Sequence, residues 1–416
     1  MTGVLIWTIA AGAIGGVLLR PKDWPEAVWA CLGAVLLVVC GLLPAAQAAG
    51  AVAKGNDVYL FLTGMMLLSE LARREGVFDW LASHAVAAAK GSPSRLFTLV
   101  YLVGTMVTIF LSNDATAVVL TPAVYAAVRA ARVKGLPFLL ICAFIANAAS
   151  FVLPISNPAN LVVYGKQLPP LVPWFRTFLL PSVVSIIATY AALRWFVRKD
   201  LSGPVESEEG AQRLTSGGKL ASYAILGTGL VLIVTSTLGK DLGLPTFLAA
   251  AVAVLLATRA RVAEVADLAK GVAWSVLPLV AGLFVLVEAM DQAGARDLLV
   301  HGFERCAQLP RITGSFAAAF GIAALSNLMN NLPSGLLAGS ALQSFSAPPH
   351  IRDAVLVGVD LGPNLSITGS LATVLWLIAA RREGENISGW QFLKAGVVVM
   401  LPALLLASLA LSLLAS

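Results

Sequence analysis

The sequence predicts an all-α integral membrane protein of two five-span halves, related as an inverted repeat, each with a re-entrant hairpin and a broken helix. Three observations lead there. First, 58% of the 416 residues are hydrophobic, 12% are charged, and the mean hydropathy is +0.87. A soluble domain carries about 25% charged residues, and surface-to-volume scaling leaves too much surface outside to hide so apolar a chain from water. Second, apolar runs close to the roughly 20 residues needed to cross a bilayer recur along the whole chain. Third, the first half recurs in the second at a fixed offset. GMMLLSE, from Gly64 to Glu70, falls on GLFVLVE, from Gly282 to Glu288, and Gly76 and Asp79 fall on Gly294 and Asp297.

Charged residues and Pro/Gly punctuation divide the chain into ten expected spans. They lie near 2–19, 25–43, 56–72, 136–163 and 171–197, then near 220–238, 244–258, 272–290, 352–380 and 390–414. The first lacks the basic stretch and cleavage site of a secretory signal, so it reads as a span. The halves are then 1–198 and 220–416. Residues 199–219 are polar and too few to bury a core, which makes them a linker.

Two regions break the simple plan. Residues 77–130 begin with an amphipathic stretch and continue as two apolar arms around Ser112-Asn113-Asp114, a hairpin near 94–130. Residues 295–347 repeat this, with a hairpin near 312–347 whose expected break is Ser326-Asn327. The long segments 136–163 and 352–380 carry polar interruptions. One runs from Asn147 through Ser156-Asn157-Pro158-Ala159-Asn160, the other from Asp360-Leu361-Gly362-Pro363-Asn364 to Thr368-Gly369-Ser370. Irregular backbone at membrane depth survives only where protein or a wet cavity shelters it.

The net charge of +6 sits in short loops, so it reports topology and not nucleic-acid binding. With the linker in the cytoplasm and both termini outside, 20 of the 28 Lys and Arg fall on the cytoplasmic side. Five spans per half then invert the second copy, so the first hairpin enters from the cytoplasm and the second from outside. Inverted repeats with broken helices place a transport site at the midplane, between the repeats.

Eight of the ten asparagines lie in the four interrupted segments. An unpartnered amide in lipid costs several kcal/mol, so these side chains either line a wet site or satisfy backbone groups freed at the breaks. The candidate substrate-binding residues are Ser112, Asn113, Thr116, Asn147, Ser156, Asn157 and Asn160 in the first half. In the second they are Ser326, Asn327, Asn330, Asn331, Asn364 and Thr368. Asp114 and Asp360 are the candidate ion-coupling acids, since an intramembrane carboxylate defaults to function. Helix capping is the alternative for both. Glu70 and Glu288 match across the halves but lie near span ends, which points to structural or interfacial roles.

His84, His301 and His350 have no metal-ligand spacing, and Cys31, Cys40, Cys142 and Cys306 form no CxxC pair, so neither a metal site nor a cofactor is expected. There is no phosphate-binding GxxxxGK[ST], no HExxH and no GxSxG. The chain is therefore expected to be a transporter without catalytic or ATPase machinery of its own.

Ser112-Asn113-Asp114-Ala115-Thr116, Ser156-Asn157-Pro158-Ala159-Asn160, Ser326-Asn327 with Asn330-Asn331-Leu332-Pro333, and Asp360-Leu361-Gly362-Pro363-Asn364 resemble the ArsB family of arsenite/antimonite efflux pumps, in the ion transporter superfamily. The resemblance covers nearly the whole chain. It implies a multi-pass protein of a bacterial-type inner membrane that exports arsenite and antimonite from the cytoplasm by proton antiport. It also implies that a cytoplasmic ATPase, ArsA, can dock on it. The same superfamily holds sodium- or proton-coupled carboxylate carriers and sodium/proton antiporters. The carboxylate carriers have Thr after Ser-Asn where this chain has Asp114, and an acid there repels a dianion.

Overall fold

The computed structural model describes residues 2–165, 168–201 and 213–414. Most of the polar linker, 202–212, lies outside the described residues. The first half contains α1 (Thr2–Leu19), α2 (Glu26–Val39), α3 (Ala45–Lys54), α4 (Asn56–Arg74) and α5 (Val77–Ala89). Then come α6 (Pro93–Phe110), the single turn α7 (Asn113–Ala115), α8 (Thr121–Ala130), α9 (Leu136–Ala148), α10 (Pro158–Tyr164) and α11 (Leu171–Phe196). The second half contains α12 (Ser216–Thr237), α13 (Gly243–Ala257), α14 (Val262–Gly271), α15 (Val276–Gln292) and α16 (Ala295–Gln308). It ends with α17 (Arg311–Met329), α18 (Asn331–Ser344), α19 (Pro349–Leu361), α20 (Leu371–Arg382) and α21 (Gly389–Leu414). No strand occurs among the described residues.

Every expected span coincides with a helix or a pair of short helices. By length and composition, six described helices (α1, α6, α11, α12, α17 and α21) could each cross a membrane alone. The pair α14 and α15, bent by 51°, would add a seventh. The remainder fall short for separate reasons. α2 and α13 have 14 and 15 residues, about 21–23 Å at 1.5 Å per residue, against a hydrocarbon core of about 30 Å. α4 carries Asp57, Glu70, Arg73 and Arg74. The segments 136–163 and 352–380 are each split into two short helices, as their polar interruptions predict.

The frame of the bundle is interwoven. α4 of the first half packs on α13 of the second, and α15 of the second packs on α2 of the first. The matched glycines make both approaches close. A Cβ on Gly64 would stand 2.7 Å from the Thr246 backbone, and one on Gly282 would stand 2.8 Å from the Ala30 backbone. Asp57 Oδ1 also accepts from the Gly243 amide at 2.7 Å, capping α13 from α4.

Inside this frame lie the hairpins and broken helices. Apart from Asn147, α9 is apolar, and it is buried from Pro137 to Ala148, the expectation for a helix without a polar face. All of α10 and the stretch of α19 from Ala354 to Leu361 are also buried. The outer faces of α12 and α13 expose Leu226, Leu230, Val234, Leu248, Val252 and Leu255, apolar surface suited to lipid.

The second hairpin corrects the sequence expectation. Ser326 and Asn327 lie inside α17, and the chain leaves the helix at Asn330, with φ 77° and ψ 151°. Asn tolerates positive φ better than other non-glycine residues. Its side chain then caps α18 by accepting from the Leu332 amide at 3.2 Å.

Candidate functional site

The four breaks are built by the same device. A polar side chain caps the helix that resumes after each interruption. Ser112 accepts from the Ala115 amide, Asn157 from Ala159, Asn330 from Leu332 and Ser370 from Thr373. Each cap satisfies one of the amides left without an intrahelical partner. The freed carbonyls are met in turn. Asn160 Nδ2 donates to Ser150 O at 2.9 Å, Ser185 to Ala148 O, and Trp174 Nε1 to Phe151 O at 3.1 Å. In the second half Asn327 Nδ2 donates to Gly362 O at 2.8 Å.

Each hairpin is clasped by two hydroxyls. Thr108 on α6 bonds Thr116 at 2.8 Å, and Ser326 on α17 bonds Ser334 on α18 at 2.8 Å. The offset that carries Gly64 onto Gly282 carries Thr108 onto Ser326 and Thr116 onto Ser334. It also sets Asn330-Asn331 opposite Ser112-Asn113, and Leu332 opposite Asp114, so the acid exists in one half alone.

The breaks converge. Asn113 and Asp114 from the first hairpin, Asn157 and Pro158 from the first broken helix, Asn331 and Leu332 from the second hairpin, and Leu371 and Ala372 from the second broken helix line one cage of about 20 Å³. That is room for about one water molecule. Leu62, midway along α4, completes the wall with Val276 and Val280 of α15.

Two larger cavities lie at opposite ends of α4. One, about 580 Å³, is lined by Ser69, Glu70 and Arg73 of α4 and by Asp79, Ser112 and Arg382 among others. It shares Leu62, Asp114, Pro158 and Val276 with the cage. The other, about 890 Å³, is lined by Lys54, Asp57, Glu288, Asp291 and Ser340 and shares no lining residue with the cage. Leu161 and Val162 of α10 and Leu336 of α18 form its floor. The cage therefore adjoins the cavity at the Arg73 end and shares no wall with the one at the Asp57 end. Glu70 is bound by Arg73 in the first cavity, and Glu288 by Lys54 at 2.6 Å in the second. At the Asp57 end Ser340 of α18 donates to Asp291 at 2.8 Å, tying the returning arm to α15.

The remaining candidates stand behind the cage. Asn147 Nδ2 donates to Asn364 Oδ1 at 3.0 Å, and Asn364 Nδ2 donates to Phe144 O. Asn157 Nδ2 donates to Asp360 Oδ1 at 2.7 Å. Ser156 donates to Ile109 O at 2.9 Å, and Thr368 to Asn327 O at 3.3 Å. Asn113, Asp114, Asn157 and Asn331 thus face the cage and Ser112 faces the vestibule at its mouth, while Thr116, Asn160, Ser326, Asn327 and Asn330 serve the clasps and breaks.

A small cage where both hairpins and both broken helices meet, beside a charged vestibule, suits a carrier. A family model described as citrate transporter matches residues 5–363. The chain belongs to the citrate transporter family. Relatives include an arsenical pump membrane protein of Escherichia coli, 28% identical over 95% of each chain. A putative arsenical pump membrane protein of Bacillus subtilis is 24% identical over 92% of this chain and 93% of its own. Among solved structures, the YdaH transporter of Alcanivorax borkumensis superposes with a TM-score of 0.57 at 15% identity, covering 88% of this chain and 87% of the other. This family member is a multi-pass membrane transporter, not a catalytic enzyme.

Sequence reading of this transporter missed the apolar wall of the cage, because nothing in an apolar run marks which Leu or Val faces a cavity. It also missed Thr108 and Ser334. The repeat offset, applied to hydroxyl residues, was the signal that would have found them.

Proposed function

We propose that this transporter exports arsenite and antimonite from the cytoplasm in exchange for protons. The lining of the cage carries the reading. Its described polar residues are three amides and one carboxylate, with no Arg, Lys or Cys. Arsenous acid is uncharged at neutral pH and presents hydroxyls, to which an amide can both donate and accept. A cage without cations does not compensate an anion, and one without thiols does not hold trivalent arsenic too tightly for release. The arsenical-pump names of relatives along 95% of the chain support the same substrate.

Asp114 stands at the mouth shared by cage and vestibule, where it can exchange a proton with water as cargo arrives. Asp360, reached through Asn157, is the second acid. The concentration of Lys and Arg near the Arg73 end supports a cytoplasmic vestibule, which makes this an inward-facing arrangement. An ArsA-type ATPase would dock on that face. Export then requires the vestibule to close and the cavity beside Asp57 to open, an exchange that inverted halves support.

The experiment is arsenite uptake into everted membrane vesicles, with and without a proton uncoupler. Uptake that collapses with the uncoupler supports substrate, direction and energy source together. The family description favours a second reading, carboxylate transport, and Arg73 and Arg382 in the vestibule suit an anion. Vesicles that accumulate citrate and not arsenite would establish that reading.

A further inference from the structure

We propose that the groove between the end of α11 and the first turns of α21 binds an anionic phospholipid. The groove encloses about 580 Å³. Trp195 and Arg198 line it from α11 and the turn that follows, and Trp390, Lys394 and Val397 line it from α21, with Lys199 at the edge. The α21 residues recur at helical spacing along one stripe, which begins with an indole, passes a cation and becomes wholly apolar. α11 and α21 are each 26 residues long and apolar enough to cross a bilayer. Lys394 lies in the second turn of α21, and Val397 lies about one turn further into the helix.

Each feature matches one part of such a lipid. The Arg198 guanidinium carbon lies 4.7 Å from the centroid of the Trp195 ring, and the Lys394 ammonium 5.4 Å from that of Trp390. Stacking on an indole holds a cation in place while leaving its donors free to meet a phosphate. Trp195 and Trp390 are 57% and 64% exposed, and tryptophan concentrates at the membrane interface. The described lining brings Arg198 and Lys394 together with no carboxylate. The neighbouring Asp200 is held by Lys134 at 2.7 Å. A choline or ethanolamine headgroup would bring its ammonium against like charge, whereas phosphatidylglycerol or cardiolipin would not. The apolar floor continues into the span, so acyl chains fit it and a soluble anion or a water-borne protein does not. Basic pockets between spanning helices are the expected seats of anionic headgroups.

The groove backs onto the site. On the opposite side of the same stretch of α21, Gly396 packs against the carbonyls of Asn364 and Leu365 in the second break. A lipid in the groove braces the turn on which that break rests.

The test uses the purified full-length protein and native mass spectrometry with phosphatidylglycerol or phosphatidylcholine. Each cation removed should weaken anionic-lipid retention about fivefold. Arg198→Gln with Lys394→Gln should therefore lose about 25-fold for phosphatidylglycerol and leave phosphatidylcholine retention and the melting temperature unchanged. Arg198→Lys with Lys394→Arg should keep most of the retention, which separates charge from fold. Equal phosphatidylglycerol retention by the Gln variant and the wild type would overturn the proposal. Displacement of the lipid by excess glycerol phosphate would overturn it too, by making the groove a free-anion site.

Discussion

Asn157 and Asp360 join the two broken helices: the amide nitrogen of Asn157 donates to Asp360 Oδ1 at 2.7 Å, and both residues are buried. Asp360 Oδ2 has no hydrogen-bond partner among the described residues. Removing Asn157 leaves a buried acid with less support. Asn157→Ala should lower stability by about 1–3 kcal/mol, the cost of leaving a buried polar group without its partner. Asp360→Asn in the same chain should recover part of the loss. Thermal melting of the two single variants and the double variant closes the cycle, and simple additivity would show that the bond is not the source.

Asp114 is the one acid of the cage. Asp114→Asn keeps the size of the side chain but cannot carry a proton. Cells expressing it should lose arsenite resistance while membrane levels of the protein stay at wild-type values. Wild-type tolerance in that variant would remove Asp114 from the coupling role.

The hydroxyl clasps should be equivalent in the two halves. Thr116→Val and Ser334→Ala are each expected to cost about 1 kcal/mol. Pairing each with its partner, as Thr108→Val with Thr116→Val and Ser326→Ala with Ser334→Ala, should cost less than the sum of the single changes. Melting temperatures that add without interaction would dissolve the clasp.

Gly64→Ala brings a Cβ to 2.7 Å from the Thr246 backbone, which cannot swing aside as a side chain would. A loss of about 1–3 kcal/mol is expected from such overpacking. Gly12→Ala is the control, because a Cβ there meets nothing within 4 Å, and a helix interior gains up to about 1 kcal/mol from the exchange. Detergent-solubilised melting of the pair separates close approach from helix propensity.

The cavities at the two ends of α4 should face opposite sides of the membrane. With Cys31, Cys40, Cys142 and Cys306 replaced, Ser69→Cys should react with an impermeant maleimide in everted vesicles, and Ser340→Cys in intact cells. Reaction of both from one side would contradict that arrangement.

Much of this was legible in the sequence, because bilayer thickness and the cost of an unpaired backbone group leave few options. The ten apolar runs became helices, and the breaks fell at the polar motifs, where Ser112 and Asn157 cap the resumed helices in place of the aspartates considered for that role. Which amide leaves the helix in the second hairpin was not legible. Ser326-Asn327 reads like Ser112-Asn113, but in a run of Ser-Asn-Leu-Met-Asn-Asn only the backbone reveals that Asn330 turns and Asn327 does not. The partners of buried amides were equally hidden. The Asn147–Asn364 and Asn157–Asp360 bonds span more than 200 positions, and no periodicity encodes such a pair.

The crossing of α4 onto α13 and of α15 onto α2 sets a schedule for biosynthesis. Gly64 leaves the ribosome well before Thr246, and at about 5–20 residues per second the wait is roughly ten to forty seconds. Throughout that interval the glycine face of α4 has only lipid or chaperone against it, and Ala30 waits longer still for Gly282. The first half enters the membrane as an incomplete shell. Whatever guards it during translation must tolerate a helix whose intended neighbour has not yet been made.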